Sequence, residues 1–275
     1  MASKEDFKTD LVTLTAFLIS EQQKHTDATG DFTILVTAIQ FASKFISSKV
    51  RRAGMINLYG YTDDMNATGD VQKKLDVLAN EIFVHALQAS HKVCVMASEE
   101  EDKVIIGTEN GKYIVSFDPL DGSSNIDANV SIGSIFGIWK RLSNEPASEK
   151  DCLQCGDKLV AAGYTLFGSS TQLILSFGDQ VNGFTLDPSL GEFLHSHPNI
   201  RIPQQGAIYS VNEGNSMFWD EAISTYVKNK KCPENGGKPY SLRYVGSMVA
   251  DVHRTLLYGG IFLYPADKKV FISLN

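Results

Sequence analysis

The residues best suited to chemistry lie in one string, Phe117-Asp118-Pro119-Leu120-Asp121-Gly122-Ser123-Ser124-Asn125. An apolar run ends in two carboxylates, and Pro119 fixes the backbone of the turn between them. Gly122, Ser123 and Ser124 then offer small side chains and backbone N–H groups suited to a phosphate. Carboxylates beside a phosphate cradle repel the substrate unless hard cations stand between them. Oxygen-only ligands select Mg²⁺ or Mn²⁺ over zinc. Asp-Pro and Asp-Gly are also common turn formers, so either dipeptide alone reads as a capped turn.

Three further elements bear on that string. Glu99-Glu100-Glu101-Asp102 follows a short apolar run. Alone it reads as a solvated loop, but adjacent strand ends would bring it to the same sheet edge as Asp118. A two-metal clamp, with ions about 4 Å apart, needs several such bridging carboxylates. Asp70 after Gly69 has the chemistry of a helix N-cap, whereas Asp76 sits among Leu75, Val77 and Leu78, where a carboxylate is costly unless paired or metal-bound. The last element is Arg243-Tyr244-Val245-Gly246-Ser247-Met248, leading from a strand into a helix. It combines a guanidinium able to grip phosphate bidentately, a phenol and a helix N-terminus. His253 and Arg254, with no nucleophile nearby, read as structural. No GxSxG, P-loop or GxGxxG context is present.

The elements that must position these groups follow from periodicity. Leu11, Leu14, Leu18 and then Ile34, Ala38, Phe41, Phe45 fall at helical spacing on either side of the polar turn Thr26–Asp31. The second of these helices is expected to end at Lys49, Arg51, Arg52 and Gly54, and a third runs from about Asp70 to Ala89. Short β-rich runs follow at 93–97, 104–107, 113–117, 132–141, 159–166 and 172–177. A turn at Asn212-Glu213-Gly214, a helix near 220–228, a strand near 241–245, a helix near 247–258 and a buried strand at 261–264 complete the series. This order predicts a layered α/β (α+β) protein with an N-terminal half over 1–200 and a C-terminal half over 201–275.

Composition bounds the function classes. A chain of 275 residues with net charge −7, 43% hydrophobic and 21% charged, is of ordinary globular make-up. That charge argues against a general nucleic-acid or acidic-membrane partner. No run approaches the roughly 18 apolar residues of a bilayer span, and the first ten residues lack a secretory signal. Cys94, Cys152, Cys155 and Cys232 form neither a disulfide framework nor a paired zinc motif, so a cytoplasmic chain is expected.

In this order, the strings resemble the fructose-1,6-bisphosphatase family, within the lithium-sensitive sugar and inositol phosphatases. The match runs from about residue 10 to residue 269. It rests on Gly69-Asp70 through Leu78, Ser98-Glu99-Glu100, Phe117 through Asp127, Leu159 through Tyr164, and Tyr244 through Arg254 with Gly259 through Pro265. The resemblance implies a layered α-β-α-β-α sandwich and gluconeogenic hydrolysis of fructose 1,6-bisphosphate to fructose 6-phosphate, Mg²⁺-dependent and inhibited by AMP. It implies Glu99, Glu100, Asp118, the Leu120 carbonyl and Asp121 as metal ligands, and Asp70, Asp76 and Glu100 as the acids that bind or activate water. Asp121, Gly122, Ser123 and Ser124, with Asn212, Arg243, Tyr244, Gly246, Ser247, Met248 and Tyr264, match substrate-binding positions. In the family the arginine serves the neighbouring subunit's site, which implies a homotetramer. Thr29, Gly30, Asp31, Phe32 and Thr33, with Lys112, Tyr113 and Lys140, match the AMP pocket. The segment around Tyr59 resembles a loop that closes for catalysis.

Some positions depart from the family pattern. Asn215 stands where a tyrosine is usual, Lys140 where an arginine is usual, and Thr62-Asp63-Asp64 is more acidic than usual. After Lys269 the pattern stops, so a truncated last layer is expected, lacking a substrate lysine and one metal-ligand glutamate. Sedoheptulose 1,7-bisphosphate as substrate, or a weakly catalytic subunit that keeps AMP binding, are the alternative readings.

Overall fold

The computed structural model describes residues 11–53, 61–65, 71–234 and 236–266. Helices α1 (Leu14–Gln22), α2 (Asp31–Val50) and α3 (Lys74–Ser90) come first. Strands β1 (Tyr61–Met65) and β2 (Val71–Lys73) pair antiparallel between α2 and α3 in sequence. Most of the loop around Tyr59, and Asp70, lie outside the described residues.

The next strands are β3 (Val93–Ser98), β4 (Ile105–Ile106), β5 (Tyr113–Asp121), β6 (Ile132–Lys140), β7 (Leu159–Phe167), β8 (Thr171–Phe177), β9 (Gln180–Asp187) and β10 (Glu192–His197). They form one eight-stranded sheet in the order β10-β9-β8-β7-β6-β5-β3-β4. Every pairing is antiparallel except that of β3 with β5.

The apolar stripes of all three helices are buried in one core with this sheet. Leu35, Val36, Ile39, Ala42 and Ile46 of α2 and Leu75, Ala79, Phe83 and Leu87 of α3 are fully buried. Each such Leu, Ile or Phe contributes about 1.5–3 kcal/mol. The Phe83 ring stacks on Phe117 at 5.2 Å, tying α3 to the strand that ends in the acidic string. Two buried hydroxyl pairs, Ser43–Thr165 at 2.8 Å and Ser47–Thr171 at 2.7 Å, fix α2 against β7 and β8. Cys94, Val95 and Ile114 nucleate a separate cluster that includes Trp139.

Residues 200–275 form a second compact unit, separate from 1–199. Its strands β11 (Ile208–Ser210), β12 (Ser241–Leu242) and β13 (Ile261–Phe262) make a parallel sheet in the order β12-β11-β13. Helices α4 (Glu221–Lys231) and α5 (Met248–Tyr258) accompany it, around Tyr209, Val211, Trp219 and Val227. The architecture is the mixed α/β class read from the sequence. Among the described residues, no helix is long and apolar enough to cross a membrane.

Candidate active site

The parallel pairing of β3 and β5 gathers the acidic residues. Ser98 lies opposite Phe117, and the Glu99 N–H donates to the Phe117 carbonyl at 3.0 Å. The pairing thus continues one residue past β3 and sets Glu99 and Glu100 beside Asp118. Against β6 the register slips: Asp118 faces Ile135 but Asp121 faces Gly133, so β5 carries one extra residue. The cause is local. Pro119 has no N–H, its carbonyl accepts the Ser134 hydroxyl at 2.8 Å, and the Leu120 N–H donates to Asp118 Oδ1 at 2.9 Å. Gly122 then adopts φ +80°, which an L side chain resists, and a 3₁₀ turn runs from Ser123 to Ala128.

Asp118 records the electrostatics of this corner. Burial, and then the negative charges of Asp121, Glu99 and Glu100, raise its carboxyl from 3.8 to about 7. A cleft of about 350 Å³ opens here, lined by Ser98, Glu99, Ser116, Asp118 and Gly137 among others. Like charges crowded at a cleft, all with oxygen donors, fit a hard divalent cation. Among the described residues, no three acidic, His or Cys side chains are already arranged to hold one ion.

Asp76 is buried in the first turn of α3, at 1% exposure. One turn on, Asn80 clamps the acidic corner: Ser98 Oγ donates to its Oδ1 at 2.7 Å, and its Nδ2 donates to Glu101 Oε1 at 2.8 Å. Ser98 Oγ in turn accepts the Glu100 N–H at 3.3 Å. Sequence reasoning missed Asn80. The available signal was an amide placed beside the apolar stripe of α3, four residues after Asp76.

A second cluster forms where α2 begins. Gly30 is the N-cap of α2 and supplies no side-chain cap. Asp31 accepts from Thr29 Oγ1 at 2.7 Å, pairs with Lys92 at 2.7 Å, and pairs with Lys112. The Lys112 and Lys92 ammonium groups hold its carboxyl well below the ordinary carboxylate range. Phe32 packs near the Tyr113 ring at 6.3 Å, and burial followed by the Asp31 charge pushes the Tyr113 phenol up. Lys140 lies directly across from Tyr113 in the β5–β6 register. Thr33 Oγ1 donates instead to Gln22 at 2.9 Å. The neighbouring Arg141 is engaged by the Glu109 and Glu145 carbonyls.

In the second unit, Asn212 caps a 3₁₀ turn by accepting the Gly214 N–H at 3.0 Å. Val211, Asn212, Asn215, Trp219, Leu263, Tyr264 and Pro265 line a small hollow of about 40 Å³. Arg243 is exposed and follows β12. The Gly246 N–H donates inward to Asp251 at 3.1 Å, and Ser247 is buried. Met248 is exposed at the start of α5. Arg254 Nη2 donates to Asp251 at 2.6 Å and to the Arg243 carbonyl at 2.7 Å.

Residues 12–198 match the family model described as the N-terminal domain of fructose-1-6-bisphosphatase, and residues 202–271 match that of its C-terminal domain. The fructose-1,6-bisphosphatase of Saccharomyces cerevisiae is 54% identical over 270 residues, 97% of this chain and 78% of the yeast protein. The cytosolic enzyme of Oryza sativa subsp. indica is 55% identical over 265 residues, 96% of this chain and 78% of its own. The crystal structure of the Leishmania major fructose-1,6-bisphosphatase in holo form superposes with a TM-score of 0.89 at 48% identity. That superposition covers 94% of this chain and 80% of the parasite chain. Two family models spanning the chain, and relatives above half identity across most of it, lead to one conclusion: this chain belongs to the fructose-1,6-bisphosphatase family.

Proposed function

We propose that this chain hydrolyses fructose 1,6-bisphosphate to fructose 6-phosphate and phosphate, with the 1-phosphate cleaved at the acidic corner of β3 and β5. The observation that carries this reading is the crowding of Asp118 by Glu99, Glu100 and Asp121 beside the Gly122–Ser124 turn. Glu99, Glu100, Asp118, Asp121 and the Leu120 carbonyl would hold Mg²⁺ or Mn²⁺, which when bound supplies positive charge to the phosphoryl oxygens. Asp76 and Glu100 orient the attacking water and take its proton, a role in which Asp70 also stands. The Gly122, Ser123 and Ser124 backbone and hydroxyls grip the phosphoryl group as the P–O bond to the sugar breaks. Asn212, Arg243, Tyr244, Met248 and Tyr264 are proposed as sugar-phosphate-binding residues.

The Thr29–Thr33 segment with Lys112, Tyr113 and Lys140 is proposed as the AMP site, in a homotetramer. Two lysines and an aromatic pair at a helix N-terminus support that assignment. The names of the rice and spinach relatives support a cytosolic setting.

Phosphate release from fructose 1,6-bisphosphate by the purified chain tests the reading, with Mg²⁺ or EDTA and with or without AMP. Turnover that requires Mg²⁺ and falls with AMP is expected. A folded chain silent at saturating Mg²⁺ would overturn the assignment of activity.

A further inference from the structure

We infer that Asp251 is a positioning residue for the phosphate-gripping segment Arg243–Ser247, an inference that rests on the function proposed above. Its carboxylate has no solvent exposure and is saturated with donors. Oδ1 accepts from Ser210 Oγ at 3.0 Å, from Arg254 Nη2 at 2.6 Å and from the Val245 N–H at 3.1 Å. Oδ2 accepts from the Val245 N–H at 3.0 Å and the Gly246 N–H at 3.1 Å.

These donors define what the carboxylate fixes. The Arg243 N–H makes the last sheet bond, to the Tyr209 carbonyl at 3.0 Å, and the chain then turns into α5 through Gly246 at φ +80°. The Val245 and Gly246 N–H groups converge on Asp251. Arg254 bridges the same carboxylate to the Arg243 carbonyl, so the backbone is held on both sides of Tyr244. The Arg254 guanidinium, 17% exposed, balances the Asp251 charge inside the unit. The Arg243 side chain itself is exposed, its Nη1 donating to the Leu242 carbonyl at 2.7 Å. An amide cannot replace this carboxylate. With its NH₂ toward Val245 and Gly246 it faces two donors, and flipped it faces Ser210 and the Arg254 guanidinium.

The test compares wild type, Asp251→Asn, Arg243→Ala and the double variant. Fructose 6-phosphate affinity is measured by calorimetry, Mn²⁺ affinity at the acidic corner in parallel, and KM and kcat with fructose 1,6-bisphosphate. Asp251→Asn is expected to weaken fructose 6-phosphate binding and raise KM about tenfold, the scale of a lost charged hydrogen bond. Mn²⁺ affinity and kcat should stay within about twofold, since uniform binding is what is lost. In the Arg243→Ala background the same change should add less than about threefold, because Asp251 acts through that segment. Full additivity, or equal losses of Mn²⁺ and sugar-phosphate binding, would mean that Asp251 only supports the fold. If Asp251→Asn fails to fold, Arg254→Lys keeps the charge but loses the bridge to the Arg243 carbonyl. An unmoved KM there overturns the inference. A wild type that binds Mn²⁺ but neither binds fructose 6-phosphate nor turns over the bisphosphate removes the functional reading and the inference with it. An active wild type with an unaffected Asp251→Asn removes the inference alone.

Discussion

Asp118 is costly to the fold that carries it. Its carboxyl is raised from 3.8 to about 7 by burial and by Asp121, Glu99 and Glu100, so without a cation its ionised form is disfavoured. The sign follows from linkage. Below the unfolded value both states are protonated and nothing is lost. As pH rises toward 7 the unfolded chain releases the proton first, and stability falls, with an upper bound of roughly 4 kcal/mol at ~1.4 kcal/mol per unit. Asp118→Asn removes that loss. In EDTA the variant's advantage over wild type should widen from roughly 1.5 kcal/mol at pH 5 to a few kcal/mol at pH 8, while phosphate release with Mg²⁺ drops at least a hundredfold. Urea melts across this range check the first part. A gap that is constant or narrows with rising pH would mean that Asp118 is not the strained group. Asn80 stands behind this cluster, and Asn80→Leu should raise the Mg²⁺ requirement severalfold by releasing Ser98 and Glu101. An unchanged half-saturating Mg²⁺ concentration in a folded variant would confine Asn80 to a packing role.

At the scale of elements, α2 places one carboxylate between two lysines at its first residue. Asp31 is 11% exposed on its side chain and pairs with Lys92 and Lys112, the latter half-exposed. Its folded pKa is depressed, so its contribution is present above the unfolded value of 3.8 and lost as pH falls below it. Asp31→Asn should lower stability at pH 7 by about 1 kcal/mol, discounted for solvent screening of Lys112, with the difference shrinking toward pH 3. Because the same change releases Lys112 and deletes a negative charge, half-inhibition by AMP should shift to lower concentration. Weaker inhibition would mean that the Asp31 carboxylate itself, and not only the backbone of its segment, takes part in binding AMP. The helix itself was legible from Ile34, Ala38, Phe41 and Phe45 at helical spacing, although Leu35, Val36, Ile39, Ala42 and Ile46 are its fully buried residues. Strands β9 and β10 were not legible, since Asn182-Gly183 interrupts one and Glu192–His197 is mostly polar; antiparallel neighbours define them. The third helix begins at Lys74 rather than near Asp70, because Val71–Lys73 pairs with β1, a contact no local pattern encodes. The acidic string stood out because its chemistry is written consecutively. Asn80 and Asp251 did not, since each acts through partners that only the folded chain brings near.

For the whole molecule, apolar burial is distributed unevenly between the two units. One core runs through the first from Leu14 to Phe193 and takes in three helices and the large sheet. Among the described residues of the second, the buried apolar cluster is Tyr209, Val211, Trp219 and Val227, with Ile200 and Val249 buried outside it, and the sheet strands are two or three residues long. The Asp251 network adds hydrogen bonds there, each of modest net value, rather than apolar area. A unit of this size with so small a core has little to set against its conformational entropy. Expressed alone, residues 1–199 should therefore unfold cooperatively with near-ultraviolet dichroism from packed aromatic rings. Residues 200–275 alone should lack a cooperative transition. Thermal melts of the two fragments decide it. A sharp transition and dispersed amide resonances from the 200–275 fragment would mean that its polar network is worth far more than its apolar core. Asp251→Asn should then abolish that transition as well as weaken sugar-phosphate binding.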